Sequence, residues 1–276
     1  MVRPMTDKNA DKPSVALIGA GAMGGALLKG WIAAGTIDAA RSAVFDPNIK
    51  DEMARLCADN GVAVNDGGPF DAMVVAVKPQ IAGEALPQYA ALARDAIVIS
   101  VMAGKSVESI GKMLNGAPRV SRVMPNLPAA IGRGASGLYA PDTIDAAGRA
   151  MIETLMRAAG ETVWVRSEQE IDFVTAVSGS GPAYYFLLTE ALAEAGASLG
   201  LEKETAAALA RATLAGAGAM MDADPRSPAE MRKAVTSPGG TTQAALNVFD
   251  GDDAALRKLV NKAAKAAADR AGELTE

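Results

Sequence analysis

Apolar positions along this chain follow two patterns, and one gives way to the other near Arg166. Up to that point, short unbroken apolar runs alternate with stretches whose apolar residues recur every three or four positions. Such runs lie at 15–18, 43–45, 62–64 and 72–77, with two further strands at 96–101 and 120–124 that are apolar apart from one and two polar positions, and they are rich in β-branched side chains. A run with no polar alternation predicts a strand buried on both faces. The periodic stretches at 26–34, 49–59, 81–93 and 106–114 predict helices that cover those faces, with Met53 and Leu56 turned inward. Strands alternating with helices in this way indicate a mostly parallel sheet between helical layers. Two further pieces, 137–140 and 161–165, flank a helix at 142–159 and extend the sheet at its edge. Beyond Arg166 only helical spacing remains, over 169–199, 204–221 and 252–271, with Gly200 as a left-handed cap for the first. Ser227-Pro228-Ala229-Glu230 is a capping box with proline at the first helical position, which starts another helix. The expected division is an α/β domain at 1–166 and an all-helical domain at 167–276, with 1–12 a frayed tail.

The first run leads into chemistry. Gly19, Gly21 and Gly24 follow it directly, and the first helix continues from them, so G-x-G-x-x-G occupies a strand-turn-helix junction. In that setting Gly19 permits the tight turn, Gly21 lets a pyrophosphate approach the backbone, and Gly24 lets helix pack on strand. The intervening Ala20, Ala22 and Met23 belong to the same loop. Free N–H groups at the helix start favour a phosphate. Asp46 ends the second strand about 20 residues later, where an acidic side chain accepts hydrogen bonds from a ribose. Together these predict a Rossmann-type, doubly wound dinucleotide-binding domain taking NADH or NADPH. Ligands in such sheets bind at the carboxyl ends of the strands. Four more segments fall there: Asp46-Pro47-Asn48, Val77-Lys78-Pro79, Met102-Ala103-Gly104 and Met124-Pro125-Asn126. Ala103 and Gly104 are small where a flat nicotinamide needs space, although a plain turn looks the same. Lys78 reads equally as a cofactor contact or as a solvated strand end.

Two stretches stand out in the helical half. Ser178-Gly179-Ser180-Gly181-Pro182 interrupts a helix, at a cost of ~1 kcal/mol for each glycine and more for proline. The break is either a packing kink or room for a ligand. Ser237-Pro238-Gly239-Gly240-Thr241-Thr242 precedes a helix that runs to Phe249. It is either a helix–helix turn or an anion nest, with glycine N–H groups exposed beside two hydroxyls.

Composition narrows the chemistry. The 276 residues are 50% hydrophobic and carry a net charge of −5, which argues against nucleic acid as a partner. No apolar run approaches the ~20 residues of a membrane span, and 1–12 lacks the apolar segment of a secretory signal. The single Cys57 fits a reducing, cytoplasmic setting and reads as a small buried hydrophobe. There is no histidine, which removes the usual zinc sites and every histidine acid–base mechanism.

Gly19 to Gly24, Val77-Lys78-Pro79, Met124-Pro125-Asn126, Ser178 to Tyr184 and above all Val235-Thr236-Ser237-Pro238-Gly239-Gly240-Thr241-Thr242 resemble pyrroline-5-carboxylate reductase, in consistent order over residues 14–272. The resemblance implies NAD(P)H-dependent reduction of the imine of 1-pyrroline-5-carboxylate to L-proline, the last step of proline biosynthesis. It implies a homodimer with interlocking helical domains, or a larger ring of such dimers, and an active site built from two chains. It assigns the substrate to Ser178, Gly239, Gly240, Thr241 and Thr242, with the carboxylate on the backbone at 239–241 and the Thr242 hydroxyl, the catalytic group, on the ring nitrogen. The cofactor falls to the glycine loop, Asp46, Val77, Lys78, Pro79, Ala103, Gly104 and Asn126. A cyclic imine is basic enough to be protonated near neutral pH, so the missing histidine is no obstacle. The chain departs from the pattern at Leu127, usually threonine, and at Asp46, usually a neutral hydroxyl residue. The related β-hydroxyacid reductases carry a lysine in their long interdomain helix, and 169–199 contains none. Another imine reductase or a non-catalytic nucleotide sensor are the alternative readings.

Overall fold

The computed structural model describes residues 12–275. Residues 1–11, most of the stretch expected to be a frayed tail, lie outside the described residues. Eight strands, β1 (Val15–Ile18), β2 (Ala43–Phe45), β3 (Ala63–Val64), β4 (Ala72–Val75), β5 (Ile97–Ser100), β6 (Val120–Met124), β7 (Gly134–Tyr139) and β8 (Gly160–Trp164), form one sheet in the order β3-β2-β1-β4-β5-β6-β7-β8. All neighbours are parallel except β6 and β7. The chain winds outward from β1 to β3, crosses back to β4 on the other side of β1, and winds outward again. This is the doubly wound plan, and its order reverses between β1 and β4.

Burial on both faces explains the unbroken apolar runs. Val15 and Leu17 of β1 enter one core with Leu27, Trp31 and Leu155, while Ala16 and Ile18 enter the other with Leu86, Ile110 and Leu114. Trp31 is fully buried, and its indole N–H donates to the Leu155 carbonyl at 2.7 Å. The covering helices are α1 (Ala22–Ala34), α2 (Asp51–Asn60), α3 (Ala82–Ala85), α4 (Ala90–Ala93), α5 (Val107–Met113) and α6 (Ala146–Arg157). Cys57 is buried in α2, and burial pushes its thiol pKa up, the reverse of an activated nucleophile.

Two expectations need correction. The helix read across 81–93 is broken into α3, α4 and tight 3₁₀ turns at Pro79–Ile81 and Pro87–Tyr89. Pro87 has no N–H to donate and its ring clashes with the preceding turn, so local chemistry overrides the apolar period. The edge strand expected at 137–140 spans Gly134–Tyr139 and runs antiparallel to β6. The link from Met124 to Gly134 is too short for a crossover helix, so the chain must return in the opposite direction.

By packing, the chain separates into two compact units, one of residues up to Gly179 with 268 onward, the other Ser180–Ala267. This division falls beyond the change of pattern at Arg166. Helix α7 (Glu170–Val174) and a π turn at Thr175–Gly179 lie on the sheet, with Val174 against Gly137 of β7 and Gly179 against Met124 of β6. The second unit contains α8 (Gly181–Ser198), α9 (Lys203–Ala223), α10 (Pro228–Ala234), α11 (Thr241–Asp250) and most of α12 (Ala255–Leu274). The capping box at Ser227 and Glu230 is formed in full. Only Gly181, Ala206 and Ala210 of this unit are buried. Tyr184 to Leu188, five consecutive positions that circle α8, are all more than a third exposed. A helical turn that is apolar around its whole circumference and this exposed lacks the cover such a turn needs within its own unit. Among the described residues no helix is long and apolar enough to cross a membrane.

Candidate active site

The carboxyl ends of β1 and β4 open at the point where the strand order reverses. Gly19 has φ +92°, a conformation side chains rarely adopt, and a Cβ there would lie 3.0 Å from the Ala76 carbonyl oxygen. Its N–H donates to the Phe45 carbonyl at 2.8 Å, tying the loop to β2. A Cβ on Gly24 would lie 2.0 Å from the Gly19 carbonyl oxygen, so the first turn of α1 cannot pack on the loop without glycine. Gly21 is different. It is exposed, caps α1 without any side-chain cap bond, and a Cβ there would meet nothing within 4 Å. The protein's own packing requires Gly19 and Gly24 and leaves Gly21 open beside unpartnered helix N–H groups. That cradle fits a dinucleotide pyrophosphate. Ala22 is exposed and Met23 half-buried beside it.

Asp46 braces this loop. Its Oδ2 accepts the Ala20 N–H at 2.8 Å and its Oδ1 the Asn48 N–H at 2.9 Å. Each oxygen keeps a second lone pair for a ribose hydroxyl. Asn65 holds Asp46 in turn: its Oδ1 accepts the Asp46 N–H at 2.9 Å, and its Nδ2 donates to the Asp46 carbonyl at 3.2 Å. Asn65 escaped the sequence reading, because an Asn-Asp-Gly-Gly stretch after a short strand signals an ordinary turn. Beyond β4, Val77 borders Gly19, Lys78 is exposed, and Pro79 opens the 3₁₀ turn. The strand itself stops at Val75, short of the expected 77.

Ala103 is exposed after β5. Gly104 has φ +67°, and a Cβ there would lie 2.7 Å from the Leu274 carbonyl oxygen. Its small size therefore has a packing cause independent of any ligand. Asn126 is 8% exposed and joins three elements. Its Nδ2 donates to the Ser178 carbonyl at 3.0 Å, and its Oδ1 accepts the Ala135 N–H at 2.9 Å. The structure thus brings Asn126 and Ser178 together. The Ser178 hydroxyl donates to the Val174 carbonyl at 3.1 Å, a bond from the π turn back to the end of α7. Leu127 is 61% exposed next to Asn126.

In the second unit, the Gly240 N–H donates to the Ser237 carbonyl at 3.0 Å, and Gly239 between them has φ +71°. Proline second and a left-handed glycine third are the signature of a type II turn. A Cβ on Gly240 would lie 2.6 Å from Ser237 Oγ. Helix α11 then starts at Thr241 with Gly240 as its cap and no side-chain cap bond. The N–H groups of its first turn are left without intrahelical acceptors. Thr242 is half-buried in that turn, and its hydroxyl has no hydrogen-bond partner among the described residues. It does not cap its helix. Among the described residues no group of His, Cys, Asp and Glu could hold a metal ion.

Comparison with known proteins places this architecture. Residues 168–274 match the family model for pyrroline-5-carboxylate reductase dimerisation, and 14–104 match that for coenzyme F420-dependent NADP oxidoreductase. The chain is 40% identical over 274 residues to the pyrroline-5-carboxylate reductase of Pseudomonas aeruginosa, covering 96% of this chain and 97% of that one. It is 36% identical over 267 residues to the Haemophilus influenzae enzyme of the same name, covering 94% and 97%. A solved pyrroline-5-carboxylate reductase from Coxiella burnetii superposes with a TM-score of 0.87 at 36% identity, covering 96% of this chain and 100% of that one. Similarity of this extent runs through both the glycine loop and the Pro-Gly-Gly turn. The chain belongs to the pyrroline-5-carboxylate reductase family, oxidoreductases that reduce 1-pyrroline-5-carboxylate to L-proline.

Proposed function

We propose that this chain reduces 1-pyrroline-5-carboxylate with NADH or NADPH and that the division of labour follows its two loops. Gly19, Ala20, Gly21, Ala22, Met23 and Gly24 hold the pyrophosphate, and Asp46 takes the adenosine ribose. Val77, Lys78, Pro79, Ala103, Gly104 and Asn126 border the rest of the cofactor. When bound, the nicotinamide supplies a hydride to the C=N carbon. The N–H groups at Gly239, Gly240 and Thr241 take the substrate carboxylate at the uncapped start of α11. Ser178 completes the substrate set. The Thr242 hydroxyl accepts the ring N–H of the protonated imine and holds the nitrogen in place as the carbon becomes tetrahedral. Because the imine arrives protonated, no side chain need deliver a proton, which suits a chain without histidine. Catalysis here is mainly positioning.

The observation that carries this reading is the unpartnered Thr242 hydroxyl beside the Gly239-Gly240 turn. Residues 1–166 serve as the cofactor domain and 167–276 as the substrate-binding and dimerisation domain. The exposed circumference of α8 supports a homodimer, or a ring of dimers. The single buried cysteine suits the cytoplasm. The test is NADH and NADPH oxidation by the purified chain with 1-pyrroline-5-carboxylate, with proline identified as product. Turnover with stoichiometric proline is expected. Nucleotide binding without turnover would instead make the chain a sensor.

A further inference from the structure

Arg122 lies in β6 with its side chain 2% exposed, the one charged residue in that strand. It is two positions ahead of Met124-Pro125-Asn126, and sequence reasoning passed over it. Its Nη1 donates to Glu168 Oε1 at 3.1 Å, and its Nη2 lies 3.7 Å from Asp172 Oδ1. Burying a charged group is costly even when it is paired, so a buried ion cluster is poor evidence of a stabilising device. Its outer connections are more informative. Glu168 Oε1 also accepts the N–H of Val107, the first residue of α5, at 2.7 Å. Asp172 Oδ1 lies 3.1 Å from the Thr275 hydroxyl, whose single proton is shared with the Ala271 carbonyl at 3.0 Å. Leu274, next to Thr275, places its carbonyl oxygen against Gly104. The segment 103–107 is therefore held at both ends: through Val107 by Glu168, and through Gly104 by a C-terminal turn that Asp172 fixes. Both carboxylates meet on Arg122.

We infer that the C-terminal turn at Leu274–Thr275 is a clasp on the cofactor loop and that Arg122, Glu168 and Asp172 are positioning residues that seat it. The inference rests on the reading that Ala103 and Gly104 border the cofactor. It assigns a role in cofactor affinity to Leu274 and Thr275, remote in sequence from the glycine loop. Without the clasp, the loop loses a backbone neighbour at Gly104 and becomes free to take other conformations. The cofactor must then order it on binding.

The experiment uses the full chain, a chain ending at Glu273, Thr275→Val and Thr275→Ser. Dissociation constants for NADPH and NADH are read by fluorescence titration, beside steady-state kinetics and melting temperature. The shortened chain should bind nucleotide about tenfold more weakly, with KM for the cofactor rising in parallel and kcat for saturated enzyme changed much less. Thr275→Val should weaken binding about threefold, and Thr275→Ser should restore it. A merely structural role would lower melting temperature without this split between affinity and kcat. Nucleotide affinity within about twofold of the full chain in both the shortened and valine forms overturns the clasp. If the full chain itself binds neither nucleotide, the cofactor reading is what fails. Should the shortened chain not fold, the valine and serine pair decides by itself.

Discussion

Replacing Gly21 with alanine separates the two reasons a glycine can stand in this loop. Gly21 has φ −67° and ψ −160°, at the border of the extended region that alanine populates, and the added methyl meets no atom within 4 Å. Alanine caps a helix less well than glycine, by a few tenths to ~1 kcal/mol. It also restricts the unfolded chain, which returns about 0.4–1 kcal/mol. These offset, so the melting temperature should move by no more than about 2 °C, at roughly 2–4 °C per kcal/mol for a chain of this size. The methyl does occupy open space beside the helix start. If the pyrophosphate rests there, loss of one charge-assisted hydrogen bond removes ~1.5–3 kcal/mol. That corresponds to a dissociation constant about 10- to 150-fold higher. Gly24→Ala should behave oppositely, because its Cβ would lie 2.0 Å from the Gly19 carbonyl oxygen. Overpacking of that kind costs about 1–3 kcal/mol or more, so its melting temperature should fall by several degrees. Scanning fluorimetry and nucleotide titration on the two variants make the comparison. NADPH binding by Gly21→Ala within about threefold of the parent chain would mean that no pyrophosphate rests at Gly21. A Gly21→Ala chain that melts as early as Gly24→Ala would mean that packing, not a ligand, requires Gly21.

Three further predictions concern selectivity, chemistry and assembly. Asp46 should repel a 2′-phosphate, so NADH is expected to serve at least as well as NADPH. Asp46→Asn keeps an acceptor for a loop N–H and removes the charge, which at an effective dielectric near 20 is worth about 1–2 kcal/mol toward a phosphate, a roughly 5- to 30-fold shift in the kcat/KM ratio toward NADPH; an unmoved ratio would leave Asp46 a loop brace alone. Thr242→Ala should lower kcat/KM about 10- to 100-fold while Thr242→Ser retains most activity, from the ~1.5–3 kcal/mol of a hydrogen bond to a charged group. Melting temperatures should stay level across the series, since Gly240 rather than Thr242 caps α11, and equal activity in Thr242→Ser and Thr242→Val would remove the hydroxyl from the mechanism. Light scattering at micromolar concentration should give a dimer or larger, and Leu187→Glu on the exposed face of α8 should weaken it; a fully active monomer would refute the oligomer.

The sequence by itself determined whatever depends on a residue and its near neighbours. Unbroken apolar runs report strands wrapped on both sides, and β1, β4 and β5 indeed divide their side chains between two cores. Gly19, Gly24 and Gly239 sit where local backbone geometry demands glycine, and Ser227 with Glu230 closes a capping box within one turn. These features are written in spacing alone. Tertiary structure decided the rest. Hydrophobic period says which face of an element is apolar and nothing about what lies against it. Hence β7 reads as an edge strand without a direction, and α7 reads as part of a helical domain although it packs on the sheet. Gly104 shows the same limit: small size suggested room for a ligand, and the fold put the Leu274 carbonyl there. Arg122 is the sharpest case. A lone arginine in a strand has no local signature of purpose, and its acidic partners lie 46 residues away at Glu168 and farther still at Asp172. Only folding brings such charges within a few ångströms, and only burial makes their pairing obligatory.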